Sequence, residues 1–124
     1  MRVLMIKGFA RYARRMRISN AILLAAANRA RRGLIDADLG GGLIKQRLPR
    51  PGQGRSGGFR SLMAYRDGER IVFLHAFAKS DLDNVDPDLQ AFWRQASGGL
   101  LAMNDAALRL ALELGDMLEI SYDA

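Results

Sequence analysis

FRSLMAYRDGERIVFLHAFAK, at residues 59–79, is the segment from which the architecture of the chain is most directly predicted. Two runs rich in aromatic and aliphatic residues flank Asp67-Gly68, a dipeptide typical of tight turns, so the segment predicts an antiparallel hairpin. Period-two alternation divides the side chains of the second strand between two faces. The predicted helix-packed face carries Val72, Leu74, Ala76 and Ala78, and the other face carries Phe73, His75, Phe77 and Lys79.

A third strand is predicted just upstream, in LIKQRL at residues 43–48, so that the three strands form a meander. LIDADLGGG at residues 34–42 predicts a loop, and PRPGQGRSGG at residues 49–58 predicts a long turn. Alternation in the third strand puts Leu43, Lys45 and Arg47 on one face and Ile44, Gln46 and Leu48 on the other.

Helices are predicted before and after the meander along the chain, packed on one face of the sheet with the other face left partly open. After a strand at residues 3–6, apolar residues at helical spacing indicate one helix, and Ser19 is a natural N-cap for a second helix that ends at Gly33. Asp86-Pro87 begins a third helix, which SGG at residues 97–99 is predicted to interrupt. Its apolar stripe, expected to pack in the core, contains Leu89, Phe92, Trp93 and Ala96.

The C-terminal part of the chain predicts one more helix and a final extended segment. Asn104 or Asp105 caps the helix AALRLALEL, which ends at Gly115, and MLEISY follows as a short strand or tail. The predicted fold class is α+β: a small antiparallel sheet with two N-terminal helices packed on one face, plus C-terminal helices. The length of 124 residues suits one domain, residues 1–124, with a C-terminal helical extension at about 86–124.

Composition excludes several classes of function. The chain has no cysteine and one histidine, which argues against disulfides and against zinc or iron centres, and we expect neither a metal nor a cofactor. No apolar run approaches the roughly 20 residues that span a bilayer, and the N-terminus lacks the features of a signal peptide. The expected compartment is the cytoplasm, with no membrane partner.

Charge is distributed very unevenly along the chain. Residues 1–60 hold 14 lysines and arginines against two acidic residues, whereas residues 61–124 hold five against 11. Arginine outnumbers lysine, and its planar guanidinium favours paired contacts with phosphate. This asymmetry indicates a nucleic-acid or acidic-protein partner, with a merely solvated surface as the alternative.

The glycine-rich stretch at residues 40–60 is not a nucleotide-binding loop. It lacks the pattern G-x-x-x-x-G-K-[ST], and it joins two predicted strands, so no helix N-terminus follows the glycines. The acidic run after the hairpin lacks the glycine and glutamate positions of a calcium-binding EF-hand loop. The remaining constellation is cationic and falls on the meander and its turn: Lys45, Arg47, Arg55, Arg60, His75 and Lys79.

RNA cleavage without a metal requires only groups of this kind. A base removes the proton of the ribose 2′-hydroxyl, cations stabilise the charge on the phosphate, and an acid protonates the departing 5′-oxygen. His75 is the side chain with the ordinary pKa suited to this work, and Lys45 is the alternative base. Phe77 can stack on a base or fill the sheet surface, and His75 can equally be a structural histidine.

The same residues carry a resemblance to a known family. GLIDADLGGGLIKQR, RPGQGRSGGFR and FAKS closely resemble the RelE/HigB-like toxins of bacterial type II toxin–antitoxin systems, over about residues 9–93. The resemblance implies the RelE/ParE fold, cleavage of mRNA on the ribosome, and a cognate antitoxin, often of the helix-turn-helix type. Some members of the superfamily instead poison DNA gyrase, and a nucleic-acid-binding module without cleavage activity is a further alternative.

The resemblance also implies site residues. The positions that match the basic RNA-binding surface of the superfamily are Lys45, Arg47, Arg55, Arg60 and Lys79. The family often has tyrosine and glycine where this chain has His75 and Ala76. We therefore expect Lys45, Arg60, His75 and Lys79 to act in catalysis, and Arg47, Arg55 and Phe77 to bind RNA.

Overall fold

A computed structural model describes the backbone of residues 1–50, 54–78 and 86–121 and all their side chains except those of 54–57. Within these ranges the chain forms six strands and four helices. In chain order they are β1 (Arg2–Ile6), α1 (Lys7–Arg15), α2 (Asn20–Arg31), β2 (Ala37–Gly40), β3 (Leu43–Arg50), β4 (Gly54–Arg66), β5 (Arg70–Ala78), α3 (Pro87–Ala102), α4 (Asp105–Leu114) and β6 (Met117–Glu119).

All six strands belong to one sheet with the order β2-β3-β4-β5-β1-β6. The predicted meander is present as β3, β4 and β5, and β6 pairs antiparallel with β1. The sheet is mixed, because β1 runs parallel to β5. The predicted α+β class is confirmed. The parallel pair was not predicted, because it depends on a crossover connection through α1 and α2 that no local sequence pattern indicates.

Each face of the sheet carries its own hydrophobic core. The first core joins α1 and α2 to the sheet through Phe9, Ala27, Ile44 and other buried residues, so the two N-terminal helices share one face as predicted. The second core packs Leu101 of α3 and Leu108 of α4 against the opposite face. We call these the N-helix face and the C-helix face. None of the helices in the described ranges has the length and apolarity to cross a bilayer.

The predicted helix ends are confirmed by their capping geometry. The Ser19 hydroxyl accepts a hydrogen bond from the Ile22 amide at 3.2 Å, and Asn104 caps α4 by accepting from Ala107. Asp86 is the N-cap of α3, with Pro87 at the first helical position. Gly33 and Gly115 have φ values of +83° and +78°, the left-handed conformation in which helices commonly end.

The predicted faces of β5 are wrong at Val72, Phe73 and Leu74 because the strand contains a β-bulge. Leu62 pairs with His75 and the next residue, Met63, pairs with Phe73, so Leu74 is an extra residue. The alternation therefore inverts. Val72, Leu74, His75 and Phe77 lie on the C-helix face, whereas Phe73, Ala76 and Ala78 lie on the N-helix face.

Two predicted loops contain strand. Part of the predicted 34–42 loop is β2, which pairs with β3 as an edge strand. Most of the predicted 49–58 turn is also strand, since β3 continues to Arg50 and β4 begins at Gly54. Pairing with neighbouring strands supplies hydrogen bonds that outweigh the weak strand propensity of glycine. Residues 51–53 lie outside the described part of the chain.

The predicted interruption of α3 is also wrong. The helix runs through Gly98 and Gly99, which cost about 1 kcal/mol each, because Leu101 beyond them packs into the second core. The predicted apolar stripe is confirmed only in part, since Trp93 packs against the second core whereas Leu89 is 36% exposed and Phe92 is 59% exposed. The fully buried positions of α3 are Ser97 and Leu101, which lie on the same side of the helix as Trp93.

One buried amide fixes β3 beneath α2. Gln46 is 1% exposed, and its Nε2 donates to the carbonyl oxygens of Ala26 at 3.1 Å and Leu34 at 2.9 Å. Its Oε1 accepts from the Asp36 amide at 3.2 Å. Because each polar atom is satisfied, these hydrogen bonds offset the cost of burying the amide, which joins α2, β3 and the segment before β2.

We predict opposite effects for two glycine substitutions. A Cβ at Gly58 would lie 2.6 Å from the Leu48 carbonyl oxygen across the β3–β4 pair, so Gly58→Ala should lower the free energy of unfolding by about 1–3 kcal/mol. Gly98 is exposed in α3 with no atom within 4 Å of an added Cβ, and Gly98→Ala should raise that free energy by up to about 1 kcal/mol. Urea denaturation measures both, and equal stability of Gly58→Ala and the wild type would contradict the proposed crowding.

Candidate nucleic-acid interface

Two rows of paired residues cross the C-helix face of the meander. Lys45 pairs with Leu62, which pairs with His75, and in the next row of the same face Arg47 pairs with Arg60, which pairs with Phe77. Directly paired residues of antiparallel strands project to the same side of a sheet. The structure therefore brings five of the seven predicted site residues together on one face. Lys45 and His75 are about 10 Å apart at their backbones, because one strand separates them.

The three cations of these rows are neither buried nor fully exposed. Lys45, Arg47 and Arg60 are all intermediate in exposure, and none forms an ion pair with an acidic residue within the described ranges. The Arg47 backbone is held on both sides, since its amide donates to Asp36 at 2.7 Å and its carbonyl accepts from Arg29 at 2.7 Å. The buried Nε of Arg47 has no hydrogen-bond partner among the described residues.

The other two predicted residues are placed only in part or not at all. Arg55 belongs to β4, but its side chain is outside the described part of the chain, and Lys79 lies wholly outside it. Their roles stay predictions. Phe77 is 9% exposed, so the ring is largely covered in the free protein.

His75 lies in an aromatic environment. Its ring is stacked on Trp93 of α3, with 5.6 Å between ring centroids and 20° between planes, and it lies 6.1 Å from the Phe77 ring. Burial lowers the pKa of His75 from its ordinary value of 6.5, because an apolar environment disfavours the charged imidazolium. At neutral pH the imidazole is therefore uncharged and has a nitrogen lone pair available to accept a proton.

A cleft opens beside His75 where β1 separates from β5. The two strands pair only as far as Met5 and Phe73, and the chain then turns into α1. The cleft has a volume of about 520 Å³ and is lined by residues of α1, β5 and α3. His75 belongs both to this cleft and to the paired rows of the sheet face, so the two features adjoin.

A comparison with known protein families gives the chain its class. A family described as the RelE toxin of the RelE / RelB toxin-antitoxin system matches residues 1–120. The chain belongs to the RelE toxin family. Membership implies a toxin of a toxin–antitoxin system with a cognate antitoxin as partner. No curated protein matches this RelE-family toxin closely enough to name a more specific relative.

Sequence reasoning missed three cleft residues of this RelE-family toxin. Arg11 and Arg15 of α1 line the cleft, and so does Trp93, which also packs against the second core as expected. The spacing of the two arginines places them on one side of α1, which is a readable signal. The approach of α1 to β5 and α3 is not readable, because it depends on contacts between segments that are distant in sequence.

We predict that the single tryptophan reports the protonation of its neighbour. Imidazolium quenches a stacked indole, so Trp93 emission should rise with pH through a midpoint below 6.5, and His75→Phe should remove the transition. A midpoint above 6.5 would contradict the buried environment.

The same pKa shift predicts how stability depends on pH. The unfolded chain binds a proton at His75 near pH 6.5, whereas the folded chain binds it only at lower pH. The free energy of unfolding should therefore rise with pH between the folded and the unfolded pKa of His75, and below that window His75 should add no further pH dependence. Urea titrations at several pH values measure this slope, which should be reduced in His75→Phe.

Proposed function

We propose that the protein is an endoribonuclease toxin that cleaves mRNA on the ribosome in the cytoplasm. A cognate antitoxin, of the helix-turn-helix type, neutralises it. The observation that supports this most directly is the pair of cross-strand rows, which combines three cations and one neutral imidazole on a single sheet face of a RelE-family chain. The catalytic unit is the single domain of residues 1–124.

The cleavage step uses proton transfer and charge stabilisation, and no metal. His75 removes the proton of a ribose 2′-hydroxyl, and the resulting oxygen attacks the adjacent phosphorus as the bond to the 5′-oxygen breaks. The products are a 2′,3′-cyclic phosphate and a 5′-hydroxyl. Lys45 and Arg60 stabilise the negative charge on the pentavalent phosphorane, and Lys79 protonates the leaving oxygen.

The neutral form of His75 supports the role of base over that of acid. A general base must be unprotonated when the substrate binds, and the burial of His75, whose ring is stacked on Trp93, favours that form at neutral pH. Lys45 is the alternative base. Arg47 and Arg55 bind flanking phosphates, and guanidinium–phosphate contacts of this kind are strong because both partners are charged. Phe77, whose ring is largely covered in the free protein, stacks on a base of the bound RNA.

Mapping of mRNA 5′ ends after induction tests the function. We expect growth arrest with new 5′ ends inside translated mRNA, and rescue by co-expression of the neighbouring antitoxin. The double variant Arg60→Ala, Lys79→Ala should lose both toxicity and cleavage while it remains folded.

Arg109→Gln, an exposed arginine of α4 away from both rows, is the matched control and should stay toxic. Intact mRNA together with altered DNA supercoiling would instead indicate a gyrase poison, and salt-dependent RNA binding without new ends would indicate a binding module.

The role of His75 is tested by a substitution that preserves the stacking. His75→Phe keeps a planar ring against Trp93 but removes the proton acceptor, so cleavage should fall by about 10²-fold or more. The pH–rate profile of the wild type should show an acidic limb with a midpoint below 6.5, which the variant lacks. Unchanged cleavage in a folded His75→Phe protein would transfer the role of base to Lys45.

A further inference from the structure

The cleft beside His75 has the dimensions of a small-ligand site. Its volume of about 520 Å³ lies within the roughly 300–1,000 Å³ typical of such sites. It opens at the point where β5 loses its pairing with β1, so Leu74 and His75 face it from an unpaired strand edge. Arg11, Tyr12 and Arg15 of α1 line the other side.

The charge of the cleft favours an anion. Arg11 and Arg15 are exposed, lie one helical turn apart on α1, and form no ion pair in the described ranges. The Arg15 guanidinium lies 5.5 Å from the centroid of the Tyr12 ring, a contact that holds the side chain against the cleft wall. No acidic residue is found among the described residues that line the cleft.

The opposite wall is suited to an aromatic group. His75 and Trp93 form a stacked pair, and Trp93 also contacts Phe92 edge to face at 5.0 Å. The indole Nε1 of Trp93 is buried and has no hydrogen-bond partner among the described residues. A buried donor without an acceptor is costly, so a ligand that offers one gains free energy there.

We propose that this cleft binds one unpaired nucleotide of an RNA substrate. Its base lies against the His75–Trp93 pair, and its phosphate binds Arg11 and Arg15. Because His75 is shared by the cleft and the sheet face, the bound nucleotide adjoins the bond that is cut. The inference rests on the proposed function, which it deepens: the substrate is single-stranded at this position, since a base stacked in a duplex cannot enter the cleft.

The single tryptophan allows binding to be measured without cleavage. Nucleoside 5′-monophosphates are added to the full-length protein at pH 7.5, where His75 is uncharged, and Trp93 emission is followed. We expect a saturable change, weaker binding of the nucleoside without its phosphate, and no saturable change with inorganic phosphate. No change with any monophosphate, or the same response to inorganic phosphate, would overturn the proposal.

Variants on one helix separate a specific site from general positive charge. The double variant Arg11→Gln, Arg15→Gln should raise the dissociation constant of the monophosphates by about tenfold or more, because it removes both charge-assisted contacts. Arg14→Gln is the matched control, since Arg14 is exposed on the same helix but does not line the cleft. An equal loss of affinity in the control and in the double variant would show non-specific attraction and overturn the proposal.

The outcomes distinguish this inference from the proposed function. If monophosphates bind as expected but induced cells keep intact mRNA, the endoribonuclease assignment fails and the cleft remains a nucleotide site. If mRNA is cut but the cleft binds no monophosphate, and the double variant cuts mRNA as fast as the wild type, the cleft proposal fails alone.

Discussion

The β-bulge at Leu74 is the constraint on which the arrangement of the site depends. One extra residue in β5 inverts the alternation of the strand, so that Leu74 and His75 both project toward the C-helix face. Without it, His75 and Phe77 would project toward α1 and α2, away from Lys45, Arg47 and Arg60. The bulge occurs where β5 is no longer paired with β1. The extra residue therefore disturbs the pairing of β5 with β4 but not its pairing with β1.

The C-terminal helices shape the cationic face as well as the core beneath them. α3 and α4 cover the apolar end of the C-helix face through Leu101 and Leu108, and Trp93 extends this cover to His75. The paired cations at the other end remain half-exposed. Partial dehydration strengthens the attraction between these cations and a phosphate, while enough surface remains open for a nucleic acid to reach them.

Local chemistry made much of the fold predictable. Ser19, Asn104, Gly33 and Gly115 mark helix ends through capping hydrogen bonds or left-handed φ values, and these operate within a few residues. The failures share a different cause. β2, the strand within the glycine-rich stretch and the uninterrupted α3 are each stabilised by partners from elsewhere in the chain, which outweigh weak local propensity.

The sequence by itself determined the α+β class, the family resemblance and the list of cationic candidates, because these depend on residue type and short-range spacing. It also placed Lys45 and Arg47 on one side of β3, where alternation is regular. Only the tertiary structure decided that His75 joins them, that burial lowers its pKa, and that Arg11, Arg15 and Trp93 line one cleft. Those outcomes depend on strand register, a bulge and helix placement, which arise from contacts between segments far apart in the chain.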